Sequence, residues 1–303
     1  MKLLRSILFA PGNRPRMVAK VGTVGADAVI LDLEDAVPIA EKEATRPIVR
    51  QAVDDVSLGN KTPVYVRINP LGAKTAFSQD FAVLDLEAVV CPNLAGIIFP
   101  KVESAAEILA IDRMISEMEG ARGIPAGQVE VIPILETAVG ILNAREIASA
   151  NPRRAPRVCI GAGDLTNDLG IAWTRDETEI LYSRSAIVLA SRAAGIEPPL
   201  DTVYADIADD DGLLRSASLA KQLGFQGKMC IHPRQVPIVN QVFSPSAAEV
   251  DYARRVVEAF AQAEREGKAS VMYEGKMLDY PIVEKERRLL AKAEAIAARG
   301  ANA

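Results

Sequence analysis

Residues 131–140 read VIPILETAVG. An apolar run, Val131 to Leu135, stops at Glu136, and a helix-like stretch, TAVGILNAREIA, follows at once. A short, nearly continuous apolar run is expected of a strand covered on both faces. Burying an unpaired charge is costly, so a carboxylate at the end of such a strand needs a partner or a task. The same arrangement recurs along the chain. Its other instances are RSILFAPGN (5–13), AVILDLEDAV (28–37), PVYVRINP (63–70), AGIIFPKVES (95–104), PRVCIGAGD (156–164), PLDTVYADI (199–207) and FQGKMCIHP (225–233). With the opening stretch they make eight strand-like runs, and helical stretches such as SAAEILAIDRMISEME separate most of them. Eight βα units in order argue for an α/β fold of the (β/α)8 TIM-barrel type, which typically takes about 250 residues. A doubly wound open sheet is the alternative; no GxGxxG follows the first strand, and a count of eight favours closure. The barrel is expected over residues 1–245. Residues 246–303 are expected to form a C-terminal helix and a lid or oligomer arm.

The totals agree with such an architecture. The chain has 303 residues, 49% hydrophobic and 25% charged, an ordinary globular composition. A formal net charge of −5 gives no support for nucleic-acid binding, so any anion site must come from a local cluster of Arg and Lys. Cys91, Cys159 and Cys230 are scattered and lack metal-ligand spacing; they read as small core residues of a reducing compartment. The N-terminal MKLLRSILFAPGN is too interrupted for a signal peptide, and no apolar run approaches membrane-spanning length. A cytoplasmic location is expected. The chain has one histidine, His232, so acid–base work should fall to carboxylates, lysine or metal-bound groups.

In a (β/α)8 barrel the active site lies at the C-terminal strand ends. Acids and bases gather there: Arg14, Arg16 and Lys20 after the first strand, Asp32, Glu34 and Asp35 after the second, Arg67 after the third. Lys101 follows the fourth, Glu136 the fifth, Asp164 the sixth and His232 the eighth. Glu136 and Asp164 are expected on adjacent strands at equivalent ends. Two close carboxylates repel unless a proton or cation lies between them. Hard oxygen ligands without His or Cys suit Mg²⁺, with Mn²⁺ as a substitute. The plainer reading is a pair of salt bridges, and the convergence of two acids favours the metal. Arg67 reads either as an ion pair closing the barrel mouth or as a fixed cation for a developing enolate. Arg14, Arg16 and Lys20 read as a solvated helix start or as a phosphate-binding edge. Lys101 and Lys228 raise a Schiff-base route, against which stands the density of acids able to pair with them.

The stretches RSILFAPGNRPRM, DLEDAV, VRINP, FPKVES, ILETAVGILNAREIA, GAGDLTNDLG, DTVYAD, GFQGKMCIHPRQ and GKMLDYP, taken in order, resemble the HpcH/HpaI aldolase/citrate lyase family. The likeness is to its citrate lyase β-subunit-like branch, which includes malyl-CoA and citramalyl-CoA lyases, and it covers nearly the whole chain. The resemblance implies a (β/α)8 barrel with a C-terminal lid, assembled as a homotrimer or hexamer. It implies Mg²⁺ on Glu136 and Asp164, a catalytic Arg67, and CoA contacts from Phe9, Arg14 and Lys20. Ile231 and His232 would line the substrate pocket. Asp279, in GKMLDYP, would enter the site of a neighbouring subunit as the catalytic acid or base. Asp35 would order water around the metal. Gly163 departs from the acidic or polar residue that many relatives carry before the metal Asp, so a role of that residue in metal hydration or substrate choice does not carry over to this position.

The activity so implied is cleavage of a 3-hydroxyacyl-CoA, such as malyl-, citramalyl- or citryl-CoA, to acetyl-CoA and a 2-oxo acid, or the reverse. A malyl-CoA-type thioesterase, a free-acid metal-dependent aldolase, and a citrate lyase complex subunit acting on a carrier-bound thioester are the alternatives.

Overall fold

The computed structural model describes residues 2–72 and 81–301. Eight parallel strands close into a barrel in sequence order. They are β1 (Ser6–Pro11), β2 (Ala28–Asp32), β3 (Val64–Arg67), β4 (Gly96–Phe99), β5 (Glu130–Leu135), β6 (Cys159–Ile160), β7 (Leu200–Asp201) and β8 (Gly227–Cys230). Ile7 of β1 pairs with Ala28 on one side and with Met229 on the other, which closes the ring. Each of the eight apolar runs marks one strand, as expected, with the fifth run extending back to VEVIPILETA (129–138) to take in all of β5.

The alternation of side chains explains why the runs look continuous. Ala28 and Ile30 face the barrel interior with Ile7, Tyr65, Ile132 and Leu200. Val29 and Leu31 point to the surrounding helices and are equally buried. The N-terminal end of the barrel is closed by a polar plug. Tyr65 donates its hydroxyl to Glu130 Oε2 at 2.8 Å, and Arg157 Nη1 lies 2.8 Å from the same oxygen.

The chain divides into two compact units, Leu4–Asn240 and the C-terminal part from Gln241. The first holds the barrel. The second contains the helix Ala247–Arg265, opened by a capping box between Ser246 and Glu249. An antiparallel hairpin follows, β9 (Val271–Tyr273) with β10 (Lys276–Leu278), and then the helix Tyr280–Ala301. Val256, Phe260, Leu278 and Val283 form its core. Asp279, half-buried, precedes the last helix and caps it by accepting from Ile282 N at 3.2 Å. Among the described residues no helix is long and apolar enough to cross a membrane.

Candidate active site

The carboxylate that ends β5 is held from three directions. Thr137, next in sequence, is the N-cap of the helix Ala138–Leu142, its hydroxyl accepting from Gly140 N at 3.0 Å. The helix therefore starts at once and leaves Glu136 at the barrel mouth, 3% exposed. Its Oε1 accepts from the backbone N of Lys101 at 2.8 Å. Lys101 has φ +54, a left-handed conformation uncommon outside glycine and often found at functional sites. On the other side, a Cβ at Gly161 would lie 2.2 Å from Glu136 Oε2, so only glycine lets the carboxylate take this position.

The neighbouring strand is shorter than its apolar run. β6 ends at Ile160, and the helix Ala162–Asp168 begins at Ala162, whose N donates to Thr202 Oγ1 at 2.9 Å. Asp164 thus projects from the first turn of a helix and not from the strand end. Glu136 and Asp164 line one cavity of about 400 Å³ at the C-terminal face, as do Phe9, Asp35, Arg67 and Gly163.

Arg67, the last residue of β3, reads both ways at once. Its Nε and Nη2 grip Asp32 at 2.7 and 2.6 Å, a bidentate pair across adjacent strands. Nη1 lies 2.8 Å from Glu34 Oε2. The guanidinium also stacks over Phe9, 5.1 Å from the ring centroid. Asp32 consumes two of its five N–H donors, so donors remain for a ligand. Glu34 is the bridge of the cluster: its Oε1 accepts from Lys101 Nζ at 2.6 Å. Lys101 Nζ is also 3.6 Å from Asp164 and 3.7 Å from Asp35.

Five carboxylates (Asp32, Glu34, Asp35, Glu136 and Asp164) therefore face two cations. Burial disfavours ionisation of Asp32, but the Arg67 charge and hydrogen bonds outweigh it and hold the carboxyl below its usual range. Burial also raises Glu34, to about 7, with Arg67 and Lys101 only partly offsetting it. Glu136 is pushed well above the carboxylate range, first by burial and then by the charges of Glu34 and Asp164. Such a set fits a hard divalent cation, which would supply the missing positive charge. Among the described residues no three His, Cys, Asp or Glu side chains form a ligand group. Glu136 and Asp164 would thus be an open pair needing further oxygens from water or substrate.

A stability consequence follows from Glu34. Its folded pKa lies above that of the unfolded chain, so the folded state binds more protons between pH 4.5 and about 7. Stability must fall as pH rises through that window, by on the order of 3 kcal/mol from this group. In EDTA, calorimetry should show a melting temperature roughly 5–10 °C lower at pH 8 than at pH 5. An added divalent cation should raise it more at pH 8. A flat profile would show that the cluster is not frustrated.

The other expected residues are distributed as follows. Ile231 lines the cavity. His232 does not; it is partly buried at the rim and its Nδ1 accepts from Arg234 N at 3.2 Å. Arg14, Arg16 and Lys20 are exposed and outside the lining. Asp279 belongs to the C-terminal unit. Asp35 is 57% exposed, whereas Glu34, which the sequence does not single out from its neighbours, is the buried acid between Arg67 and Lys101. Lys228 is fully buried on the outer face of β8, 2.6 Å from Asp201, and points away from the cavity. The raised pKa of Lys101, which its acidic partners impose against burial, keeps it protonated. Neither lysine suits a Schiff base. Trp173, Thr202 and Met17 also line the cavity and carry no sequence signal for it.

Comparison with known proteins places this arrangement in a class. The model of the HpcH/HpaI aldolase/citrate lyase family matches residues 5–233, and the chain belongs to that family. It is 37% identical over 294 residues to citrate lyase subunit beta of Haemophilus influenzae, covering 97% of this chain and 98% of that one. It is also 37% identical over 298 residues to a (3S)-malyl-CoA thioesterase of Cereibacter sphaeroides, covering 98% and 97%. The crystal structure of CitE from Mycobacterium tuberculosis, in complex with magnesium, acetoacetate and coenzyme A, superposes with a TM-score of 0.72 at 33% identity. That match covers 95% of this chain and 97% of that one.

Proposed function

We propose that the chain is a Mg²⁺-dependent carbon–carbon lyase that cleaves a 3-hydroxyacyl-CoA to acetyl-CoA and a 2-oxo acid, or runs the reverse condensation. The observation that carries this reading is the buried Glu136 carboxylate sharing a cavity with Asp164 and Arg67, in a cluster short of positive charge. The magnesium complex of the CitE relative supports the choice of ion. Bound by Glu136 and Asp164, Mg²⁺ would supply Lewis acidity toward the carboxylate and carbinol oxygens of the substrate.

The chain's own residues do the rest. Cleavage breaks the bond between the thioester's α-carbon and the carbinol carbon; the electron pair passes to the thioester as an enolate. The carbinol passes its proton to water that Asp35 orders at the cavity mouth and becomes the keto group. Arg67, fixed by Asp32 and Phe9, offers its remaining N–H donors to the enolate oxygen. Asp279 of a neighbouring subunit delivers a proton to the enolate carbon, and in condensation removes it. Phe9 packs on the thioester arm. Arg14 and Lys20, with Ile231 and His232 at the rim, receive the CoA portion. Asp35 orders water at the cavity mouth. A homotrimer or hexamer completes each site in this reading.

The name of the Cereibacter relative favours one second reading, a thioesterase in which the same residues direct water at the thioester carbonyl.

Asp279→Ala tests the shared site. It should keep Mg²⁺ binding and lose turnover by about 10²–10⁴-fold, the range of a lost general acid. Mixing it with Glu136→Ala and re-forming the oligomers should restore part of the activity, because some hybrid sites hold both intact residues. Full activity of Asp279→Ala alone would remove that residue from the mechanism.

A further inference from the structure

Between the helix that carries Asp164 and the helix Leu181–Ala193, residues 171–177 form neither helix nor strand. Residues 167–176 are exposed except Trp173, which is partly buried and lines the cavity. A Cβ at Gly163 would lie 3.8 Å from Trp173 Cζ3, so the indole rests against the helical turn that carries Asp164. A segment with so little buried surface holds a large ring in place only through its attachments. Thr174 donates from N and Oγ1 to Glu179, at 2.6 and 2.8 Å, a link within the same stretch of chain. Arg175 Nη2 lies 2.6 Å from Asp209, but Arg175 is largely exposed, and solvent screens such a pair. Glu177 differs from both. It is buried, and its Oε2 accepts from Ser216 Oγ at 2.7 Å and lies 2.9 Å from Arg184 Nη2.

Glu177 completes a buried quartet. Arg184 grips Asp201, the last residue of β7, at 2.8 and 3.0 Å, and Lys228 of β8 lies 2.6 Å from the same carboxylate. Two acids thus face two cations, all 2% exposed or less. For packing alone, apolar side chains of similar volume would serve as well. Glu177 also takes φ +52, a left-handed conformation that glycine adopts without a steric penalty. Burial and backbone both make a carboxylate costly here. What it provides is a fixed point four residues after Trp173.

Resting on the lyase reading above, we infer that Glu177 is a positioning residue for the reaction. Its bonds to Arg184 and Ser216 hold residues 171–177 so that Trp173 closes one wall of the cavity beside Asp164. Glu177 touches no reacting atom, and its effect passes through the indole.

Trp173 is the only tryptophan, so its fluorescence reads its own surroundings. The experiment compares the full-length wild type with Glu177→Gly and with Glu177→Gly/Lys228→Met. Glycine suits the left-handed φ, and the double substitution removes one charge of each sign and keeps the Arg184–Asp201 pair. In both variants, folded by circular dichroism, Trp173 emission should move to longer wavelength and acrylamide should quench it more strongly. With whichever of malyl-, citramalyl- and citryl-CoA the wild type cleaves, kcat/KM should fall by about 10–100-fold, as misplacement of a cavity wall predicts. In a Trp173→Ala background, Glu177→Gly should change kcat/KM by less than about threefold, because both substitutions act through one ring. Unchanged emission and quenching, an unchanged kcat/KM, or losses that add to those of Trp173→Ala would overturn the inference and leave the lyase reading intact. Loss of the whole fold in both variants would also overturn it, since the quartet would then hold the barrel and not the segment. Cleavage of no thioester by the wild type would overturn the lyase reading; emission and quenching would then decide alone whether Glu177 holds Trp173.

Discussion

Glu136→Ala is expected to abolish Mg²⁺ binding and turnover together, with kcat falling by about 10³-fold or more, while the protein stays folded. The expected loss corresponds to the several kcal/mol that a bound cation gives to developing charge. The stability result is the informative half. Glu136 is a buried carboxylate whose ionisation burial, Glu34 and Asp164 all oppose. Removing it relieves that repulsion, so metal-free Glu136→Ala at pH 8 should unfold at the same denaturant concentration as the wild type or higher. Glu136→Gln should behave alike, since its amide oxygen can still accept from Lys101 N. Calorimetric titration with Mg²⁺ and urea unfolding of both variants check this. Retained Mg²⁺-dependent turnover, or collapse of the fold, would contradict it.

Arg67→Met should have the opposite profile and lose stability as well as activity. Asp32 and Glu34 are 1% and 3% exposed, and Arg67 lies within 2.6 Å of one and 2.8 Å of the other. Deleting the guanidinium leaves buried charge without its partner, which costs about 3–5 kcal/mol. Arg67→Lys should recover part of that stability, because one ammonium can reach either acid. It cannot grip Asp32 with two parallel bonds or stack flat on Phe9. Its turnover should remain about 10²-fold down, as for loss of one oxyanion donor. Urea midpoints and kcat for the pair separate the two effects. Wild-type stability in Arg67→Met would show that Asp32 and Glu34 are neutral in the native protein.

The barrel was legible because covering a strand on both faces leaves a plain signature. EVIPILE and AVILDLED read as apolar runs ending in acids, and β5 and β2 lie within them. The site was only partly legible. Which acid of Asp-Leu-Glu-Asp turns inward depends on the chain path after β2. Asp32 accepts from the backbone N of Glu34 at 2.9 Å and of Ala36 at 3.1 Å, and that turn buries Glu34 and exposes Asp35. No residue-type rule places a left-handed φ at Lys101, yet that conformation aims its amide at Glu136. Trp173 lies in a stretch without helix or strand, so periodicity says nothing of where its ring goes. Asp279 was named by family resemblance alone; from its sequence it is an acid on a connecting segment, and here it caps a helix.

The measurement that bears most directly on the central claim is product analysis by mass spectrometry. The pure protein is incubated with malyl-, citramalyl- and citryl-CoA, each with Mg²⁺ and with EDTA. The account predicts acetyl-CoA and a 2-oxo acid, formed with Mg²⁺ and absent with EDTA. Free CoA with intact hydroxy acid would contradict it in favour of a thioesterase, and turnover undiminished by EDTA would contradict the assignment of Glu136 and Asp164 as metal ligands.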